Sequence, residues 1–201
     1  TVPLPLVLAA QGIAAAYFSH RWGLARWWLP VQLLLPAAFA GALALDIPSW
    51  IYLVAFFGLL LVYWNTTGER VPLYLTNQKT WAALANLLPT RNAARFIDLG
   101  SGLGGTTLYL GGVRADMQFD AVENAPGPYV ISKIRQLFSH RSNTSISYGS
   151  LWNRDLSNYN VVYCFLSPAP MADLFAKARA EMKTGSLFIS NSFEVPGEEP
   201  D

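Results

Sequence analysis

The chain has 201 residues, with 14 Lys and Arg against 13 Asp and Glu and a formal net charge of +1; that balance offers nothing to attract nucleic acid, and none is expected as a partner. Its one cysteine, Cys164, excludes an internal disulfide or a cysteine-rich metal site. With only His20 and His140, the sequence also argues against a histidine-based catalytic metal site, and no metal is expected.

Charge is unevenly placed. From Thr1 to Trp64 the only charged residues are Arg21, Arg26 and Asp46. Three apolar segments fill this stretch: Pro3 to Phe18, Trp27 to Leu45 and Ile47 to Trp64. The last two are close to the ~20 residues that a hydrocarbon core of about 30 Å requires. Pro30 and Pro36 would break a soluble helix but are tolerated in a membrane bundle. Trp27, Trp28, Trp50, Tyr63 and Trp64 stand at segment ends, where amphipathic rings favour the headgroup layer. Residues 1–64 therefore predict a transmembrane helical region of two or three spans, with the bilayer as a partner. His20, Arg21 and Arg26 put the first loop inside and Asp46 puts the second outside. The remainder then lies on the cytoplasmic, or mitochondrial matrix, side of an integral, multi-pass protein.

Residues 65–93 read as a linker and a leading helix. NTTGER (65–70) is polar and turn-rich, and Asn77 to Leu88 has helical apolar spacing that Pro89 ends. From residue 94 to 201 strand and helix patterns alternate. RFIDL is a strand, followed by a glycine turn and a helix to about Leu110. MQFDAVE is the next strand, and Pro126 to Phe138 a helix. TSISY and NVVYCFL are strands, Pro168 to Met182 a helix, and SLFISNSF a fifth strand. This order predicts an α/β domain with a Rossmann-like parallel sheet. The polar clusters Asp98 to Gly105, Glu123–Asn124, Gly149 to Trp152 and Ser167–Pro168 all fall at carboxyl ends of strands, where such sheets bind ligands.

Two cofactor signatures share the stretch FIDLGSGLGG. Gly100, Gly102 and Gly105 spell the dinucleotide fingerprint G-x-G-x-x-G. Asp98, Gly100, Gly102 and Gly104 spell D-x-G-x-G-x-G, the loop of S-adenosylmethionine (SAM) enzymes. Asp98 favours the second, because an ionised acid inside a strand needs a cationic or donating partner, and the ammonium of SAM is one. Gly100 and Gly102 let backbone approach the cofactor. Glu123 offers two acceptor oxygens to a ribose diol in either case.

On VPLYLTNQKTW (71–81), FIDLGSGLGG, VENAPGP (122–128), GSLW (149–152), NVVYCFLSPAPM (160–171) and SLFISNSFEVPG (186–197), the chain resembles membrane-anchored class I SAM-dependent methyltransferases. The group is that of the lysine methyltransferases of the mitochondrial ATP synthase c subunit and the adenine nucleotide carrier. The resemblance implies a class I methyltransferase sheet preceded by transmembrane helices, with SAM held by Thr76, Asp98, Gly100, Ser101, Gly102, Gly104, Glu123, Asn124, Gly149, Ser150, Leu151 and Phe165. It implies methylation of a lysine on a membrane-protein substrate, with Tyr74, Trp152, Phe165, Ser167 and Pro168 as candidate pocket residues. Ser150 departs from the pattern, which has Asp there, and a hydroxyl meets the adenine amino group less strongly than a carboxylate. The seven-stranded fold also leads one to expect strands beyond Asp201. Three alternatives stay open: methylation of a membrane small molecule such as a quinone or phospholipid, a nicotinamide-dependent membrane oxidoreductase, and a non-catalytic SAM-fold scaffold.

Overall fold

A computed structural model of the chain describes residues 2–45, 47–64, 71–90 and 93–199. The chain divides into two compact units, Thr1–Ala55 and Phe56–Asp201.

The first unit contains α1 (Leu4–Arg21), α2 (Trp28–Ala44) and the start of α3 (Ser49–Val62). A proline in the first turn starts α1, and His20 and Arg21 complement the carbonyls of its last turn. Small residues let α1 and α2 approach closely: Gly12, Ala16 and Ser19 are the buried positions of α1. A Cβ added at Gly12 would lie 2.8 Å from the Leu33 carbonyl oxygen. No residue of α2 is buried.

Among the described residues no helix is long and apolar enough to cross a membrane, so the expected spanning helices find no support here. The segment from Trp27 to Leu45 yields a helix of 17 residues. That from Ile47 to Trp64 yields one of 14, starting only after Pro48. α1 reaches 18 residues but carries Gln11, His20 and Arg21. Asp46 and the linker 65–70 lie outside the described residues.

The second unit is built on a five-stranded sheet of β1 (Arg95–Leu99), β2 (Gln118–Glu123), β3 (Thr144–Tyr148), β4 (Val161–Cys164) and β5 (Leu187–Ser190), in the order β3-β2-β1-β4-β5. Every pairing is parallel, with Phe96 opposite Phe119 on one side and Val161 on the other. The central strands β1 and β4 are buried on both faces, β4 as the continuous apolar run Val161–Cys164, whereas the edge strand β3 alternates buried and exposed residues. One face carries Phe96, Phe119 and Tyr163 against Leu84 and Leu88 of α4 (Gln78–Leu87 and its cap) and Leu110 of α5 (Gly105–Val113). α6 (Pro126–Ser139) packs beside α5, against β2 and β3. The other face buries Ile97, Leu99, Val162 and Cys164 beneath Leu174 and Ala178 of α7 (Met171–Glu181). Two three-residue 3-10 turns, Leu151–Asn153 and Leu156–Asn158, complete that layer. The reversal of strand order puts the switch point between β1 and β4, where such sheets hold ligands.

Candidate functional site

The chain leaves β1 through a loop whose backbone favours glycine. Gly100, Gly102 and Gly104 have φ of 75°, 54° and 71°, a region that costs other L-residues roughly 1–2 kcal/mol. The N–H groups of Gly100 and Ser101 both donate to the Val122 carbonyl at 3.0 Å, and Gly104 N–H donates to Ser101 O at 2.9 Å. Space is as tight as the backbone. A Cβ on Gly100 would lie 2.7 Å from Leu166 Cδ2, and one on Gly102 2.9 Å from Leu73 Cδ1. α5 begins at once, its first N–H groups at the rim.

Glu123, at the carboxyl end of β2 and 5% exposed, braces this loop. Its Oε2 accepts from Gly102 N–H at 2.7 Å and its Oε1 from Ala125 N–H at 2.8 Å. Both oxygens are thus engaged in holding the loop at the edge of β2. Asp98 lies beneath the loop, 3% exposed, and accepts a long 3.5 Å hydrogen bond from Thr107 Oγ1. Burial first, then the charge of Glu123, pushes its pKa from 3.8 up to about 7, with Thr107 pulling back. The Ser101 hydroxyl of the same loop is buried with no hydrogen-bond partner among the described residues.

The facing wall comes from residues 71–77. Leu73 rests on Gly102, and Thr76 Oγ1 accepts from Trp81 Nε1 at 2.6 Å and lies 3.3 Å from Thr106 Oγ1. Asn77 then caps α4, accepting from Lys79 and Thr80 N–H. Tyr74 turns toward the ends of β4 and β5, its ring 5.0 Å from Phe165 and 5.4 Å from Phe193, while Phe165 stacks on Phe193 at 6.1 Å.

The cleft between these walls is lined by seven of the sequence-predicted residues: Tyr74, Gly100, Glu123, Asn124, Gly149, Leu151 and Phe165. Gly149 is tied in by its N–H, which donates to Glu123 O at 3.0 Å. Ser150 uses its Oγ to accept from Trp152 N–H at 3.2 Å, starting a 3-10 turn. Ser167 is buried and Pro168 exposed just beyond β4. Trp152 packs against the core on the α7 face rather than in the aromatic group. Sequence patterns alone do not single out Leu73 or Phe193. Leu73 sits in a segment with no periodicity, and Phe193 falls within the tail of an expected strand.

The donors and acceptors of the cleft fit SAM. Three glycines of the loop stand at positive φ, Asp98 is a buried carboxylate with a long hydrogen bond from Thr107, the Ser101 hydroxyl has no partner among the described residues, and Glu123 sets a second carboxylate at the cleft. No curated protein matches the chain. Among solved structures, an RNA methyltransferase from Salinibacter ruber in complex with S-adenosyl-L-homocysteine aligns with a TM-score of 0.60 at 19% identity, covering 64% of this chain and 84% of that one. A precorrin-6y C5,15-methyltransferase from Geobacter metallireducens aligns at 0.53 and 14%, covering 59% and 64%. At these identities the likeness is one of fold. Residues 98–201, from the acid of β1 through every later strand, match the ANTKMT methyltransferase domain, more than half of the sequence. Family and cleft agree: the chain belongs to the ANTKMT methyltransferase domain family, with SAM as its cofactor.

Proposed function

We propose that this chain methylates a lysine ε-amino group of a membrane protein, from a domain held at the cytoplasmic or matrix face of a bilayer by its N-terminal helices. The observation that carries the substrate class is the group Tyr74, Phe165 and Phe193, with ring centroids 5.0–6.1 Å apart beside the glycine loop. Such faces attract an ammonium and strip its water. Desolvation lowers the pKa of an amine, which matters because at its ordinary 10.4 only about one lysine in a thousand is neutral at pH 7.

SAM supplies an electrophilic methyl carried on a sulfonium. The chain supplies position and charge: Asp98 the negative partner for the cofactor's ammonium, Glu123 the acceptors for its hydroxyls, and Leu73 and Leu166 the apolar sides. Thr76, Ser101, Asn124, Gly149, Ser150 and Leu151 complete the holding set, and Ser167 and Pro168 border the substrate side.

Membrane attachment is supported by exposed apolar surface on the first helices. Leu34 and Phe39 of α2 are each 66% exposed, and soluble proteins rarely leave such continuous patches open. The small-residue stripe Gly12–Ala16–Ser19 on α1 is the packing that helices use in lipid.

Transfer of labelled methyl from SAM by the full chain into isolated membranes, then separated into protein and lipid, tests the reading. Label on methyl-lysine of the protein fraction is expected. Label in the lipid fraction would instead identify a quinone or phospholipid as substrate. Tight SAM binding without incorporation would make the chain a scaffold. A thermal shift with NADH matching that with SAM would revive the nicotinamide reading, which family membership disfavours.

A further inference from the structure

On the sheet domain itself, the outer side of α6 is unusual. Val130, Ile131, Ile134, Leu137 and Phe138 are 52%, 42%, 48%, 72% and 78% exposed. At about 100° per residue these five cover a continuous arc of about 120°. That is the width of a stripe that normally faces a core, yet here the core side of α6 is made by Pro128 and Ser132.

Charge frames the stripe with one sign. Lys133 and Arg135 stand at its two borders on the helical wheel, and Arg141 comes just after the helix end. From Asn124 to Arg154 the chain has Lys133, Arg135, Arg141 and Arg154 and no Asp or Glu. Three of these cations bind carbonyl oxygens rather than carboxylates: Lys133 to Ile146 O, Arg135 to Leu103 O and Arg141 to Leu108 O. Among the described residues none of these three forms an ion pair with an acid. At the other end of the helix, Gly127 closely approaches the end of α3, where an added Cβ would lie 3.1 Å from the Leu61 carbonyl. The apolar end of α3 thus lies beside the start of α6.

We propose that the outer face of α6 docks on the surface of an anionic phospholipid bilayer, apolar stripe in the acyl boundary and Lys133, Arg135 and Arg141 toward lipid phosphates. An apolar face bordered by Lys and Arg is the pattern of an interfacial helix, and anionic headgroups strengthen the attraction with each basic residue near the surface. The proposal rests on the reading that the N-terminal helices hold the chain at a membrane. It adds that the methyltransferase domain lies against that membrane in one orientation.

The test uses the full chain in vesicles of phosphatidylcholine alone or with an equal part of phosphatidylglycerol, with a nitroxide-bearing lipid as quencher. An environment-sensitive fluorophore is placed through Leu137→Cys, through Leu34→Cys in α2, or through Ala180→Cys on the outer side of α7. Cys164 is buried, and the unsubstituted chain is the blank. Expected is quenching at 137 several-fold above that at 180, strongest with phosphatidylglycerol and reduced by high salt. Quenching at 34 without quenching at 137 leaves the attachment standing and overturns the docking. Quenching at 137 alone supports the docking and removes the N-terminal attachment. Shielding at 137 that tracks protein concentration and ignores phosphatidylglycerol assigns the stripe to a second copy or a protein partner and overturns the proposal.

Discussion

Asp98 is a buried acid whose surroundings, apart from Thr107, all oppose its charge, and this governs how the protein without cofactor responds to pH. In the folded state it holds its proton up to about pH 7, whereas an Asp in the unfolded chain loses it near 3.8. A folded pKa above the unfolded one contributes stability that is complete below 3.8 and lost as pH rises through about 7. At pH 8 the carboxylate is a buried charge, and Asp98→Asn should raise the melting temperature of the cofactor-free protein. The shift corresponds to at most about 4 kcal/mol; a thermal melt at pH 8 and again near pH 4, where the gain should vanish, checks this. The same substitution should weaken SAM binding by tenfold or more, since hydrogen bonds to charged groups contribute about 1.5–3 kcal/mol. Calorimetric titration giving unchanged affinity would remove Asp98 from the cofactor's ammonium. For the native protein, affinity should rise with pH up to about 7 and then level off.

At the scale of the element, the strap 71–77 and the glycine loop form one device. Gly102→Ala faces both a left-handed φ of 54° and Leu73 at 2.9 Å, and should cost about 1–3 kcal/mol of stability along with cofactor affinity. Adding Leu73→Ala should relieve the crowding but not the backbone cost, so melting temperature should recover only in part. Phe193→Ala should raise KM for the methyl acceptor while leaving SAM affinity within about twofold, because it removes one ring of the aromatic group and no cofactor contact; a parallel loss of SAM binding would assign that ring to the cofactor. The strands and helices of this unit are legible in the sequence to within a few residues, since apolar runs, Pro126 and Gly185 punctuate them clearly. Phe193 is not legible. β5 stops at Ser190, Ser192 turns at φ 67°, and Ser190 Oγ donates to Phe193 O at 2.5 Å, folding the ring back toward Tyr74. That turn depends on a non-glycine residue at positive φ, which composition does not announce. The 3-10 turns are too short for any period to reveal.

For the molecule as a whole, apolar runs locate three N-terminal helices but overstate their length, and among the described residues none is long and apolar enough to span a membrane. Such runs count residues that caps and Pro48 exclude from the helix, so Trp27–Leu45 shrinks to 17 helical residues and Ile47–Trp64 to 14. The proposed membrane attachment through their exposed apolar surface carries its own prediction. The full chain should remain in the membrane pellet through high-salt and alkaline washes, because apolar burial, unlike surface ion pairing, is not screened by salt. Release into the wash would reduce attachment to charge alone.

The parallel order of the sheet also sets a schedule for assembly during synthesis. β1 pairs with β2 soon after both exist, but its other neighbour, β4, lies much further along the chain: Phe96 meets Phe119 on one side and Val161 on the other. Loop closure makes the distant pairing the slower one. The glycine loop and Glu123 can thus form on an unfinished nascent chain, whereas Phe165 arrives only after β4 and Phe193 only after β5. A nascent chain with its residues up to 148 already clear of the ribosome would then carry half a cleft, with no aromatic side to close on an amine before translation is done.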